Sequence, residues 1–132
     1  MSKRFLLVRA QELARFDAEQ LVNLNLFDGE AFFGRLLCLQ QGQQVPVHVH
    51  AHKDECFDVV QGEGTLIADG HEFRAGPGTF LYIPAGVTHG LRADISDRWV
   101  LRETVSERIY ARRALRLLWQ AAMKRVRRYV GM

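Results

Sequence analysis

The sequence predicts an all-β fold, an antiparallel sandwich or barrel, followed by a C-terminal helix. Between Phe32 and Glu103, short apolar segments alternate with glycine and proline turns at a spacing of roughly eight to twelve residues. Asp69-Gly70 is a hairpin signal, because a two-residue turn of this kind needs positive φ at its centre. From Thr104 onward the apolar residues recur with the period of a helix instead.

The N-terminal segment carries a less regular pattern. Leucine and phenylalanine at residues 9–26 have a broken helical spacing, which predicts a short helix at about residues 10–16. We assign residues 1–30 to a segment that packs on the β domain, residues 31–103 to that domain and residues 104–132 to the helix, within a single domain overall. The apolar core of MSKRFLLVRA is too short for a secretory signal, so a cytoplasmic location is expected.

Most of the predicted strands follow directly from apolar content and turn residues. In chain order they are Phe32–Gln40, Val45–His50, a strand beginning at Glu55, Thr65–Ala68, Glu72–Arg74, Thr79–Ile83, His89–Asp94 and Arg98–Glu103. Because side chains alternate along a strand, Glu55 and Phe57 share one face and Cys56 lies on the other. An inward Glu55 therefore implies an outward Cys56. We expect Cys56 and Cys38 to be free thiols, since nothing marks an oxidising compartment.

A dense group of histidines and acids indicates a metal centre. His48 and His50 are two residues apart, which places both imidazoles on one face of a strand, about 7 Å apart along the backbone. Glu55 follows after enough chain for a turn to bring its carboxylate back beside them. A fourth ligand must come from elsewhere, and His89, which follows a turn and opens a later strand, supplies it.

Two stretches of the chain together resemble the motifs of the cupin family. The first runs Gly42, five residues, His48-x-His50, four residues, Glu55, six residues, Gly62. The second runs Gly78, five residues, Pro84-x-Gly86, two residues, His89, with Ala93 in place of the usual closing Asn. The resemblance covers roughly residues 30–103 and implies a single-domain jelly-roll β-barrel. It also implies one metal ion inside the barrel, held by His48, His50, Glu55 and His89.

The predicted ligand set limits the metal and the chemistry. Three imidazole nitrogens and one carboxylate suit a divalent Fe, Mn, Ni, Zn or Cu ion, and they do not distinguish among these. The alternative is a barrel that kept the fold and lost its metal, which would leave four costly buried polar groups. His52 continues the every-second-residue pattern and is a candidate for acid–base catalysis. An exposed loop histidine is the simpler interpretation of His52.

The resemblance implies a metalloenzyme that acts on a small organic molecule, by oxygen-dependent cleavage or by isomerisation. A ligand-binding or regulatory module without turnover is the alternative, because cupins include both kinds. A sugar or sugar-phosphate isomerase would need basic residues in the pocket, for which Arg35, Arg74 and Arg92 are the candidates. Phe57, Phe80 and Tyr82 either shape an apolar pocket or simply pack the core.

The charge is distributed unevenly along the chain. Residues 104–132 contain eight Lys or Arg and one Glu, a local balance of +7, so the other 103 residues carry −4 of the total +3. The helix is amphipathic. Its apolar stripe comprises Leu115, Leu118, Trp119, Ala122, Met123, Val126 and Val130, and its cationic face includes Arg113, Arg116, Lys124, Arg127 and Arg128. We expect a homodimer; contact with nucleic acid or an acidic membrane is less favoured, because most cationic faces are simply solvated.

Overall fold

The computed structural model describes residues 4–106 and 109–129 and, within the C-terminal helix, the side chains of residues 115–126. The elements are α1 (Ala10–Leu13), β1 (Val22–Asp28), β2 (Phe32–Gln40), β3 (Gln44–His48), β4 (Asp54–Gln61), β5 (Gly64–Ala68), β6 (His71–Ala75), β7 (Phe80–Ile83), β8 (His89–Arg92), β9 (Arg98–Ser106) and α2 (Ile109–Tyr129).

The described strands form two antiparallel sheets. One has the order β1-β2-β9-β4-β7 and the other the order β3-β8-β5-β6, so the chain crosses repeatedly between the two sheets. Such crossing is the connectivity of a jelly roll. The predicted all-β jelly roll, with a short N-terminal helix and a C-terminal helix, is confirmed.

The main core lies between the two sheets. Side chains alternate along the strands, and those that face inward include Leu37, Phe57, Leu66, Trp99 and Leu101, each no more than 4% exposed. Burial of a large apolar side chain contributes about 1.5–3 kcal/mol relative to its exposure. This core therefore holds the sheets together and fixes which residues face the interior.

A second, smaller core covers the outer face of β2 and β9. Leu36, Cys38 and Val100 point outward, and the N-terminal residues Ala14 and Phe16 pack against them with other apolar side chains of that segment. Cys38 is buried in this layer, and Cys56 lies on the outer face of β4; both are free thiols. The N-terminal segment thus shields an apolar sheet face from water.

The structure differs from the sequence analysis at β1. We predicted a short helix at about residues 10–16 and no strand before Phe32, whereas the structure has the helix Ala10–Leu13 and then the strand Val22–Asp28. Apolar Val22 and Leu24 alternate with Asn23 and Asn25, which is a strand period, and hydrogen bonding to β2 selects it. The strands therefore span Val22–Ser106, beyond the predicted limits of 31–103 at both ends.

The C-terminal helix forms, and the described members of its apolar stripe are exposed to a large extent. Leu115 is 66% exposed, Leu118 68% and Trp119 64%. Val130 and the side chains of Arg113, Arg127 and Arg128 lie outside the described part of the chain. Within that part, no helix combines the length and the apolar character needed to cross a bilayer.

Candidate metal centre

Strand pairing brings two sequence-distant histidines together. His48 ends β3, and its partner in the antiparallel β3–β8 pair is His89, the first residue of β8. Opposed residues in such a pair have their side chains on the same face and within contact distance. The ring centroids of His48 and His89 are 4.3 Å apart.

The turn of the second motif holds the loop of the first. The Gly86 N–H donates a hydrogen bond of 2.8 Å to the carbonyl of His50, and the Ala85 N–H donates one of 2.9 Å to the Asp54 carboxylate. Gly86 has φ of +87°, a conformation that glycine adopts at no steric cost. The Pro84–Gly86 turn thereby positions His50 just beyond the end of β3.

Glu55 approaches the histidines from the other sheet. It lies on the inner face of β4 and is 3% exposed, and its neighbour Cys56 faces outward, as the alternation predicted. One carboxylate oxygen, Oε1, is 3.1 Å from Nε2 of His50, and the other, Oε2, is 2.8 Å from Nε2 of His89. The carboxylate thus bridges ligand candidates from both motifs.

The three histidines form a group that could hold a metal ion. One nitrogen from each of His48, His50 and His89 lies within 4.8 Å of the others. With Glu55 beside two of these nitrogens, the structure gathers all four residues that we predicted as ligands. His52 is not among them: it is exposed in the bend between β3 and β4, and its acid–base role stays a prediction.

Backbone carbonyls orient two of the rings. Nδ1 of His48 is 2.8 Å from the carbonyl oxygen of Pro46, and Nδ1 of His89 is 3.1 Å from that of Val87. A carbonyl oxygen only accepts hydrogen bonds, so Nδ1 is the protonated atom in each neutral ring. Nε2 of each ring is then left with a lone pair facing the group, the arrangement that metal-ligating histidines use.

The buried polar atoms of the group are not satisfied by the protein itself. Among the described residues, Oε2 of Glu55 and Nε2 of His89 are buried and have no hydrogen-bond partner, although they are only 2.8 Å apart. With the proton of the neutral His89 ring on Nδ1, Nε2 and the carboxylate oxygen are both acceptors, so no hydrogen joins them. Unsatisfied buried polar atoms cost about 1–3 kcal/mol each, more when charged. A divalent cation would satisfy both, so the donor set fits a metal ion.

The same neighbours shift the two inner histidines in opposite directions. Burial lowers the pKa of His50, with His48 and His89 adding to the effect against the attraction of Glu55. Burial also opposes protonation of His89, but the Glu55 carboxylate and the Val87 carbonyl outweigh it, so the pKa of His89 is raised. A proton at His89 would compete with a cation there, which makes metal affinity fall at low pH.

Glu103 is a functional candidate that the sequence analysis missed. It lies on β9 two residues from inward-facing Leu101, and its strand partners are Arg35 on one side and Phe57 on the other. Burial, together with the nearby Glu55 carboxylate, raises the pKa of Glu103 to about 7, against the pull of Arg35 and His89. The signal was available: in an alternating strand with Leu101 inward, residue 103 also faces inward.

Of the aromatic and basic residues considered as pocket residues, some face the interior and others face solvent. The Phe57 ring is buried 6.0 Å from that of His89. Phe80 and Tyr82 are mostly exposed, and they pair with Asp58 and Cys56 on the outer face of β4. Arg74 and Arg92 are in ion pairs with Glu63 and Glu72, whereas Arg35 shares the inner face of the sheet with Glu103.

Comparison with known proteins identifies the class. The family model described as the cupin domain matches residues 35–100, half of the chain. The chain therefore belongs to the cupin family, with one copy of the domain's motif pair. It is also 35% identical over 54 residues to quercetin 2,3-dioxygenase of Bacillus subtilis (strain 168), a match that covers 41% of this chain. The match spans only 16% of the length of that relative.

Solved structures share the fold over most of the chain. The TT1209 protein of Thermus thermophilus superposes with a TM-score of 0.72 at 27% identity, covering 76% of this chain and 95% of that one. An RmlC-like cupin protein from Desulfovibrio desulfuricans superposes with a TM-score of 0.66 at 30% identity, covering 80% and 96%. These matches cover nearly all of each relative.

Proposed function

We propose that this cupin is a metal-dependent enzyme that acts on a small organic molecule, with oxygen-dependent cleavage as its chemistry. One observation carries the proposal: Oε2 of Glu55 and Nε2 of His89 are buried together without hydrogen bonds, and one nitrogen from each of His48 and His50 completes the group. The similarity to quercetin 2,3-dioxygenase across 54 residues favours oxygen chemistry over isomerisation.

The residues that would hold the ion are His48, His50, His89 and Glu55. A first-row divalent ion held by these residues would act as a Lewis acid and, if it is redox-active, would supply the centre for oxygen chemistry. The carbonyls behind His48 and His89 hold those rings in place, so little reorganisation accompanies ion binding.

Other residues near the ligand group would exclude water and carry a proton. Phe57, next to His89, excludes water from one side of the ligand group. Glu103, with its pKa raised to about 7, can hold or release a proton near neutral pH, as a general acid or base must. Arg35 adds a cation on the same inner face, where it would attract an acidic substrate group.

The proposal is tested by metal analysis and oxygen uptake. Protein purified without chelator or a nickel column should carry a redox-active metal by elemental analysis. It should consume oxygen with at least one phenolic, carbonyl or thiol substrate of a panel. Loss of a direct ligand in His50→Ala should cost more than the roughly 10–100-fold affinity loss typical of an outer-shell change. The variant should keep its β circular-dichroism signal.

His71→Ala is the matched control. Nδ1 of His71 is also 2.9 Å from a carbonyl two residues earlier, that of Asp69, but His71 is exposed and lies outside the ligand group. Its removal should leave metal content and oxygen uptake unchanged. Unchanged metal content in His50→Ala would refute the ligand assignment. Tight capture of a substrate by metal-free protein, with no oxygen uptake, would favour a binding module instead.

A further inference from the structure

The apolar stripe of α2 is an exposed surface feature that the candidate metal centre does not explain. We define the stripe as Leu115, Leu118, Trp119, Ala122, Met123 and Val126, whose spacing of three and four residues places them on one side of the helix. The five large members are between 36% and 68% exposed. Contiguous apolar surface of this kind marks an interaction site in a folded protein.

The same helix is strongly cationic. Ile109–Tyr129 contains seven Lys or Arg and no acidic residue. On a helical projection Lys124 lies opposite the stripe, and Arg116 and Arg125 lie at its two borders. A helix with Leu and Trp on one face and Lys and Arg on the other matches the pattern of helices that lie in a membrane interface.

The occupant of this surface must offer both apolar volume and negative charge. Nucleic acid would neutralise the cations but would leave Leu118 and Trp119 in water. A second copy that covered the stripe with its own α2 would bring seven further cations to the interface instead of negative charge, and several acids of the barrel already form ion pairs with arginines. These pairs are Asp58 with Arg102, Glu63 with Arg74, and Glu72 with Arg92. A bilayer with anionic headgroups offers both properties.

We propose that α2 anchors the protein to the surface of an anionic membrane, with the apolar stripe in the headgroup region and the cations toward the phosphates. At about 1.5 Å per residue the helix is roughly 32 Å long and lies parallel to the surface. The barrel is then held at the membrane, where its interior site meets molecules that partition there. This proposal does not depend on the reaction proposed above.

The two tryptophans allow a direct test on the full chain. Trp99 is fully buried in the core, whereas Trp119 is 64% exposed, so a blue shift of tryptophan emission on binding reports α2 alone. We expect the protein to sediment with phosphatidylcholine vesicles that contain phosphatidylglycerol, and to shift its emission. Vesicles of phosphatidylcholine alone should bind at least about tenfold more weakly, and salt should weaken binding to the anionic vesicles. Trp119→Phe should bind without the shift.

Adjacent leucines provide a matched pair of variants. Leu118 belongs to the stripe, whereas Leu117 is 57% exposed on the cationic side. Leu118→Gln should weaken vesicle binding about tenfold or more, because loss of one buried leucine costs about 1.5–3 kcal/mol. Leu117→Gln should change binding by less than about twofold. Both positions are exposed, so neither change should disturb folding, and circular dichroism checks this.

Three results would each overturn the proposal. One is equal sedimentation with the neutral and the anionic vesicles. Another is a blue shift of Trp119 emission that grows with protein concentration in the absence of vesicles, together with a doubling of the mass measured by light scattering. In that case α2 would be covered by a second copy of the chain. The third is duplex DNA binding that both leucine variants retain, with no vesicle binding.

Discussion

The barrel interior buries polar atoms, whereas the C-terminal helix exposes apolar side chains. Inside the barrel, polar atoms of Glu55 and His89 are buried without hydrogen bonds among the described residues. On the described part of α2, the side chains of Leu118 and Trp119 are more than 60% exposed. Each arrangement is unfavourable for the isolated chain, the first by desolvation and the second by hydration of apolar surface. This difference is the basis of the two proposals: a cation inside, and an apolar, anionic surface outside.

The two regions also differ in what supports them. The four ligand candidates lie on or next to strands whose inward residues, such as Phe57 and Leu91, are 2% exposed. The packed core therefore holds the ligand side chains in place even though their buried polar atoms are unfavourable. The stripe residues described on α2, at positions 115–126, gain little burial, because they face water. Metal and core changes should therefore act on the barrel, and changes on α2 should leave its stability unaltered.

The largest expected effect is metal-dependent stability. A divalent ion at 1,000 times its dissociation constant should raise the free energy of unfolding by about 4 kcal/mol, because it binds the folded ligand group and not the unfolded chain. Urea unfolding with and without a chelator measures this gain. Leu118→Gln should keep the whole gain, whereas His50→Ala should lose most of it. An undiminished gain in His50→Ala would place the ion elsewhere.

A leucine-to-alanine substitution should lower the free energy of unfolding far more in the barrel core than on α2. Leu101→Ala, at a fully buried position of β9, should lower the free energy of unfolding by about 3 kcal/mol, since it leaves a cavity. Leu118→Ala on α2 should change it by less than about 0.5 kcal/mol. Chemical denaturation of both variants at one pH provides the comparison. A loss above about 1 kcal/mol for Leu118→Ala would mean that α2 packs on folded protein.

A smaller effect should appear in the pH dependence of the metal-free protein. The folded chain holds the proton of Glu103 to about pH 7, whereas an unfolded glutamate releases it near 4.5. The folded state therefore binds more protons between these values, and the free energy of unfolding falls as the pH rises through this window. The contribution of Glu103 is roughly 2 kcal/mol between pH 5 and pH 8, after allowance for its partial exposure.

Glu103→Gln isolates this contribution from the histidines, which titrate in the same range. The variant should lose about 2 kcal/mol less than the wild type between pH 5 and pH 8, measured by urea unfolding in chelator. The same change at exposed Glu19 is the control and should leave the profile unaltered. Parallel profiles for wild type and Glu103→Gln would mean that Glu103 is ionised throughout.

Local pattern was sufficient for the parts of the fold that depend on neighbours in the chain. The Pro84–Gly86 turn and the outward face of Cys56 were both predicted, because strand alternation and turn chemistry act over a few residues. The predicted strand Val45–His50 ends at His48, and the Pro84–Gly86 turn holds His50 instead. The strand at Val22–Asp28 was missed, because its alternation is short and only pairing with β2 distinguishes it from a broken helix.

The sequence by itself determined the fold family, the four ligand candidates and the amphipathic character of the helix, since each is a matter of residue type at fixed spacing. Only the tertiary structure decided that His48 faces His89 and that Glu103 rather than His52 lies near the group. It also decided that the stripe of α2 is left uncovered. These outcomes depend on which strands pair and which surfaces meet, and such long-range contacts leave no signature in local spacing.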